Sequence, residues 1–103
     1  MGPDGHVASI FPGSKLLAEK VRWTAVSEPG PEGLKRITLT LPVLNAATEI
    51  IFLVSGAEKS ETLARALTGS KSQDPLPVEF VLRSGVPVSW YVDRASASRL
   101  QIG

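Results

Sequence analysis

With 103 residues, 43% of them hydrophobic and 20% charged, the chain holds one domain's worth of sequence at most. Its formal net charge of +1, with eleven basic and ten acidic residues spread along the length, argues against a nucleic-acid or membrane-surface footprint. No cysteine is present and only one histidine, so the composition offers neither a disulfide framework nor a transition-metal ligand set.

The single histidine lies in the opening stretch, Met1-Gly2-Pro3-Asp4-Gly5-His6-Val7-Ala8-Ser9-Ile10-Phe11-Pro12-Gly13. Glycine lets a backbone turn tightly and approach a ligand closely. Asp4 and His6 flank Gly5, so in a turned backbone both side chains can converge on one reacting centre. A neutral imidazole suits general-base work near neutral pH. The other reading is an ordinary Asp-Gly turn beside a surface or core histidine. The residues alone leave both open.

Residues 14–20 read as a short helix or turn, and residues 21–26 as a strand near an edge. Residues 27–33, with two prolines and two glycines, are a loop to which no function is attached. Residues 36–41 alternate, with Ile37, Leu39 and Leu41 on one face and Arg36, Thr38 and Thr40 on the other. Pro42 then opens a short helix over 42–48. That arrangement places Asn45 and the polar face of the strand at a strand-to-helix corner, where ligands bind in open α/β sheets. The apolar run 49–54 predicts a central parallel strand covered on both faces. Ser55 and Glu58 have capping-box spacing for a helix running to Leu67, with Glu61 and Arg65 as an i,i+4 pair and Gly69 as its stop. Lys59 stands in the first turns of that helix.

Residues 69–75 read as a polar, flexible linker, and a short helix begins at Pro77. The last strand is 88–92, with Trp90 in the core rather than serving as a stacking platform. Asp93 caps a final helix over 94–100. The order of elements predicts an α/β layer with mostly parallel strands.

Two segments together, Gly2-Pro3-Asp4-Gly5-His6-Val7-Ala8-Ser9-Ile10-Phe11-Pro12 and Arg36-Ile37-Thr38-Leu39-Thr40-Leu41-Pro42-Val43-Leu44-Asn45-Ala46-Ala47, closely resemble the 6-phosphogluconolactonases. The resemblance continues through Gly56-Ala57-Glu58-Lys59 and Leu76-Pro77 to Trp90-Tyr91-Val92-Asp93-Arg94-Ala95, so it covers nearly the whole chain but about half of the family's usual length. In that family the Asp-Gly-His corner follows a buried strand, and an N-terminal half supplies a phosphate-binding turn and an arginine. The resemblance therefore implies that residues 1–103 are a single partial domain, the C-terminal half of a Rossmann-like, mostly parallel sheet with flanking helices. Exposed apolar surface is expected where the remaining strands would pack, and with it self-association or pairing with a missing N-terminal half.

The activity implied by the resemblance is hydrolysis of 6-phospho-D-glucono-1,5-lactone to 6-phosphogluconate, in the cytoplasm, as a step of the pentose phosphate pathway. His6 would be the general base and Asp4 its orienting partner, with amides of the glycine corner, Gly5 among them, facing the developing oxyanion. Arg36, Asn45 and Lys59 would line the sugar-phosphate site. Each of these also has a plain reading, Arg36 as a solvated strand-end arginine and Lys59 as an exposed helix lysine. No metal or organic cofactor is called for, because an ester carbonyl is already electrophilic. One alternative is an inactive fragment or an assembly subunit of a split lactonase. Glucosamine-6-phosphate deaminases share the corner but carry a glutamate five residues after the histidine, where this chain has Phe11, so that activity ranks lower.

Overall fold

The computed structural model describes residues 1–69 and 74–100. A 3-10 turn at Lys15–Ala18 leads to strand β1 (Thr24–Val26), strand β2 (Ile37–Leu39) and helix α1 (Leu41–Leu44). Strand β3 (Ile50–Val54) follows, then a second 3-10 turn at Ala57–Lys59, helix α2 (Ser60–Thr68), helix α3 (Pro77–Leu82) and strand β4 (Val88–Val92). β3 pairs in parallel with β4, Phe52 opposite Trp90, whereas β1 pairs antiparallel with β2, Val26 opposite Ile37. The fold is mixed α/β. In place of one mostly parallel sheet, the described residues form a parallel pair and a separate antiparallel pair.

One apolar cluster ties these elements to the N-terminal corner. Phe52 and Val54 of β3 pack with Leu63 and Ala66 of α2, Val78 and Val81 of α3, and Val7, Ile10, Leu16 and Leu41. Trp90 lies against this cluster as expected, its ring stacked on Phe52 with centroids 4.4 Å apart and planes at 15°.

The alternation in β2 is present, but its apolar face points outward: Ile37 is 82% exposed, while Thr38 and Thr40 are buried. The buried hydroxyls are tolerated because each has a backbone partner. Thr38 Oγ1 accepts from the Ser9 amide at 2.9 Å and donates to the Leu39 carbonyl at 2.8 Å, and Thr40 Oγ1 donates to the Arg22 carbonyl. β3 is covered on one face only. Ile51 and Leu53 on its other face are exposed, as is Tyr91 opposite Leu53.

Several local expectations need correction. β1 is shorter than the predicted 21–26, because the Glu19 carboxylate accepts the Val21 and Arg22 amides and holds them in a turn. α1 ends at Leu44, where the bonds from Ala46 and Ala47 tighten to three-residue spacing. The Ser55–Glu58 capping box does not form. Gly56 takes the capping position with φ +100°, and the Glu58 carboxylate folds against it. Arg65 turns away from Glu61 to donate to Glu79 and to the Asp74 carbonyl. Residues 94–99 are successive turns rather than a helix, because serines 96 and 98 interrupt a run in which side chains compete for backbone bonds. α3 begins at Pro77 and α2 stops at Gly69, both as expected. Residues 70–73 of the expected linker, and with them its predicted flexibility, lie outside the described residues.

Asp93 does act as a cap, although not of a helix. Its carboxylate accepts from the Ser96 amide at 2.8 Å and from the Gly56 amide at 3.2 Å, joining the ends of β3 and β4. The Ser96 amide, then the Ser96 hydroxyl and the Gly56 amide, hold the carboxyl below its ordinary value of 3.8. A carboxylate depressed in the folded state contributes stability that is present above its unfolded value and lost as pH falls through its folded value. Asp93→Ala is therefore expected to lower Tm at neutral pH by a few degrees, and the deficit should shrink as pH falls below about 4. Thermal unfolding followed by circular dichroism across that range checks this, and equal Tm values at neutral pH would refute it.

Candidate active site

The corner closes on itself through its backbone. Gly2 N–H donates to the His6 carbonyl at 3.0 Å and Gly5 N–H to the Gly2 carbonyl at 2.9 Å. Both glycines are required. Gly5 has φ +86° and a Cβ there would lie 2.8 Å from Leu76, while a Cβ on Gly2 would overlap the His6 ring at Cε1 and Nδ1. Asp4 Oδ1 then accepts from the His6 backbone N–H at 3.0 Å and meets His6 Nδ1 at 2.6 Å. An ionised carboxylate there selects the Nδ1–H tautomer and leaves Nε2 as the proton-accepting nitrogen. The two side chains are about one-third exposed, 30% and 36%, so the pair is shielded yet reachable.

Phe11 packs on the imidazole with centroids 4.7 Å apart. Between them the chain turns at residues 7–10, where Ile10 N–H reaches the Val7 carbonyl at 2.9 Å. Ala8 holds φ +50° in this turn, a left-handed conformation costing a non-glycine residue of order 1 kcal/mol. Burial of Val7 and Ile10 and the bond from Ser9 to Thr38 hold it there. The inverted face of β2 thus supports the corner: a threonine that alternation alone would send to solvent is its anchor.

Asp4, His6, Ser9, Phe11, Glu32 and Arg36 line one cleft of about 480 Å³. Arg36 is fixed at the end of β2 by mutual bonds with Ser27, the Ser27 N–H to the Arg36 carbonyl at 2.7 Å and the Arg36 N–H to Ser27 Oγ at 3.0 Å. Its guanidinium pairs with Glu32, and both side chains are substantially exposed.

The other candidates lie elsewhere. Asn45 lines a separate depression with Lys20, Arg83 and Ser84, and its Oδ1 is buried without a hydrogen-bond partner among the described residues. Lys59 ends the second 3-10 turn, outside the lining of the cleft. It is close enough to the Met1 amino group that, after burial, its charge is the second cause lowering that amine's pKa. The Gly5 amide, offered as an oxyanion donor, is already engaged within the corner, as are the amides of Gly2 and His6. Glu32 and Phe11 went unassigned as cleft residues. For neither was there a signal beyond nearness in sequence, of Glu32 to Arg36 and of Phe11 to the corner. Among the described residues no group of three His, Cys, Asp or Glu side chains could hold a metal ion, and no helix is long and apolar enough to cross a membrane.

Residues 1–90 match the family model described as glucosamine-6-phosphate isomerases/6-phosphogluconolactonase. The whole chain aligns at 43% identity with the probable 6-phosphogluconolactonase 2 of Arabidopsis thaliana, and 99% of it at 40% identity with the 6-phosphogluconolactonase of Bos taurus. The chain spans about 40% of the length of each. Among solved structures, the 6-phosphogluconolactonase of Trypanosoma brucei superposes with TM-score 0.84 at 30% identity, over 97% of this chain and 40% of that one.

The close seat of the imidazole on Gly2 is testable without substrate. Gly2→Ala is expected to push the ring off Asp4, so that the imidazole ¹⁵N spectrum, unambiguous with one histidine, changes from the Nδ1–H form to a mixture of tautomers. An unchanged spectrum would mean that the ring does not rest on Gly2.

Proposed function

We propose, because the chain belongs to the family of glucosamine-6-phosphate isomerases and 6-phosphogluconolactonases, that its Asp4–His6 corner carries the hydrolysis of 6-phospho-D-glucono-1,5-lactone to 6-phosphogluconate. The observation that supports this most is the 2.6 Å contact between Asp4 Oδ1 and His6 Nδ1 in a cleft that also holds a guanidinium. His6 Nε2 takes a proton from water as the water oxygen attacks the lactone carbonyl carbon. Asp4 keeps the ring in place and balances the imidazolium that forms. The tetrahedral intermediate collapses with cleavage of the bond from the carbonyl carbon to the ring oxygen. That oxygen leaves as a hydroxyl after taking the proton back from His6. The new carboxyl group then ionises.

Arg36 is the cation of this cleft and the group that would draw the substrate's phosphate. Its present partner, Glu32, is a surface carboxylate, and such pairs are worth only about 0–1 kcal/mol. A phosphate dianion, taken bidentately, is the stronger ligand for a guanidinium. Asn45 and Lys59 lie outside this cleft, and the reading gives them no role in it. On this reading the reaction takes place in the cytoplasm.

The assay is lactone hydrolysis on freshly generated substrate, corrected for spontaneous opening. His6→Ala is expected to lower kcat by about 10² to 10⁴, and Arg36→Gln to raise KM more than it lowers kcat. Hydrolysis that His6→Ala leaves intact would sink the proposal.

A second reading, an assembly subunit inactive by itself, draws support from the exposed apolar residues of both sheets, Ile37 and Leu39 on β2, Ile51 and Leu53 on β3 and Tyr91 on β4. On this reading the chain associates, with itself or with a chain supplying further strands. Light scattering at moderate concentration is then expected to find particles larger than one chain, and a clean monomer would count against it.

A further inference from the structure

We infer that Glu79 and Arg65, which lie outside the cleft, are positioning residues for the Asp4–His6 pair; the inference rests on the reading of that pair as the reacting centre. Glu79 is a carboxylate in the first turn of α3 whose side chain is only 5% exposed. Burying a charge is so unfavourable that what it touches defines its purpose. Glu79 Oε2 accepts from the Leu76 N–H at 2.5 Å and from Arg65 Nη2 at 3.3 Å. The same Arg65 nitrogen donates to the Asp74 carbonyl at 2.8 Å. Together they hold the turn into α3.

The corner rests on that turn. Val78 N–H donates to the Gly5 carbonyl at 3.0 Å, and the Leu76 side chain sits against the Gly5 α-carbon. The Gly5 carbonyl and the His6 N–H belong to one planar peptide unit. Fixing the carbonyl on Val78 therefore aims the N–H the opposite way, at Asp4 Oδ1, the oxygen that also meets the ring. α2 grips the corner directly as well, one turn before Arg65, where Thr62 Oγ1 donates to the Pro3 carbonyl. Two helices thus hold the glycine between Asp4 and His6 from either side, α3 at the Gly5 carbonyl and α2 at the Pro3 carbonyl.

The ion pair is imperfect in a telling way. Glu79 Oε1 and Arg65 Nε are buried without hydrogen-bond partners among the described residues. A pair retained for stability alone would be satisfied or replaced by apolar packing. On this inference its use is to set the orientation of the Gly5 peptide.

The test uses amide hydrogen exchange and the single imidazole of the chain without substrate. Glu79→Gln, Glu79→Ala and Arg65→Met are compared with Trp90→Leu, which weakens the core at the Phe52 stack and touches none of the bonds above. In the Glu79 and Arg65 variants the Val78 and His6 amides are expected to exchange about tenfold faster than in Trp90→Leu at equal loss of Tm, with the ring shifting toward the Nε2–H tautomer. Protection of Val78 and His6 no lower than in Trp90→Leu, with the ring unchanged, would overturn the inference. Glu79→Gln keeps one acceptor for Leu76 N–H and the side-chain volume, so it decides the matter if Glu79→Ala does not fold. Neither readout needs turnover. Coupled signals in a chain that fails to hydrolyse the lactone would support the inference and sink the functional reading alone.

Discussion

Asp4 Oδ1 receives both nitrogens that His6 turns toward it, and the corner is arranged around the demands of those two bonds. For the backbone N–H and the ring to reach one oxygen, the chain must reverse within a few residues. Reversal needs a left-handed conformation at residue 5, and the ring needs open space above residue 2. Glycine meets both needs, and its flexibility is then removed by bonds from outside: Val78 on the Gly5 carbonyl, Thr62 on the Pro3 carbonyl, and Thr38 on the Ser9 amide. Flexible residues make the geometry accessible, and rigid elements make it persist. A site of this kind loses orientation before it loses fold.

The same logic explains why β2 turns its threonines inward. A strand that only had to bury apolar area would place Ile37 and Leu39 inside. Here the inner face must instead provide a hydroxyl that can accept from Ser9, in a turn strained at Ala8. The cost is an exposed apolar face, to which β3 and β4 add another through Ile51, Leu53 and Tyr91. Apolar residues exposed in this number are normally covered by other elements or chains.

What could be read from the residues followed from local rules. The period of β2, the parallel strands at 50–54 and 88–92, the start of α3 at Pro77 and the stop of α2 at Gly69 depend on neighbours in sequence and were legible there. The facing of β2 was not, because alternation gives a period and leaves the choice of face to distant partners such as Ser9. Nor was the antiparallel pairing of β1 with β2, since an edge strand's partner is chosen by the path of the intervening loop. The Asp4–His6 pair was visible because both residues sit within a three-residue turn. Glu79 was invisible as part of the corner because its link to Gly5 runs through Leu76 and Val78, neither of which carries chemistry by its type. Arg65 itself looked like the partner of Glu61, an exposed pairing that a buried carboxylate outcompetes.

The chemistry open to the cleft is narrowed by how its ionisable groups are already committed. Asp4 is occupied with His6 and Glu32 with Arg36. The residue five places after the histidine is Phe11, whose ring lies against the imidazole and can neither give nor take a proton. That leaves Nε2 of His6 as the one base of the cleft among its described lining residues. Hydrolysis of an ester needs one base, because the proton taken from water is the proton returned to the departing oxygen. Moving hydrogen between carbon centres while releasing an amine needs further acid and base groups, each placed at a different atom of the sugar. On the proposed reading, the lining suits hydrolysis better than deamination, and Phe11 is the residue on which that proposal turns.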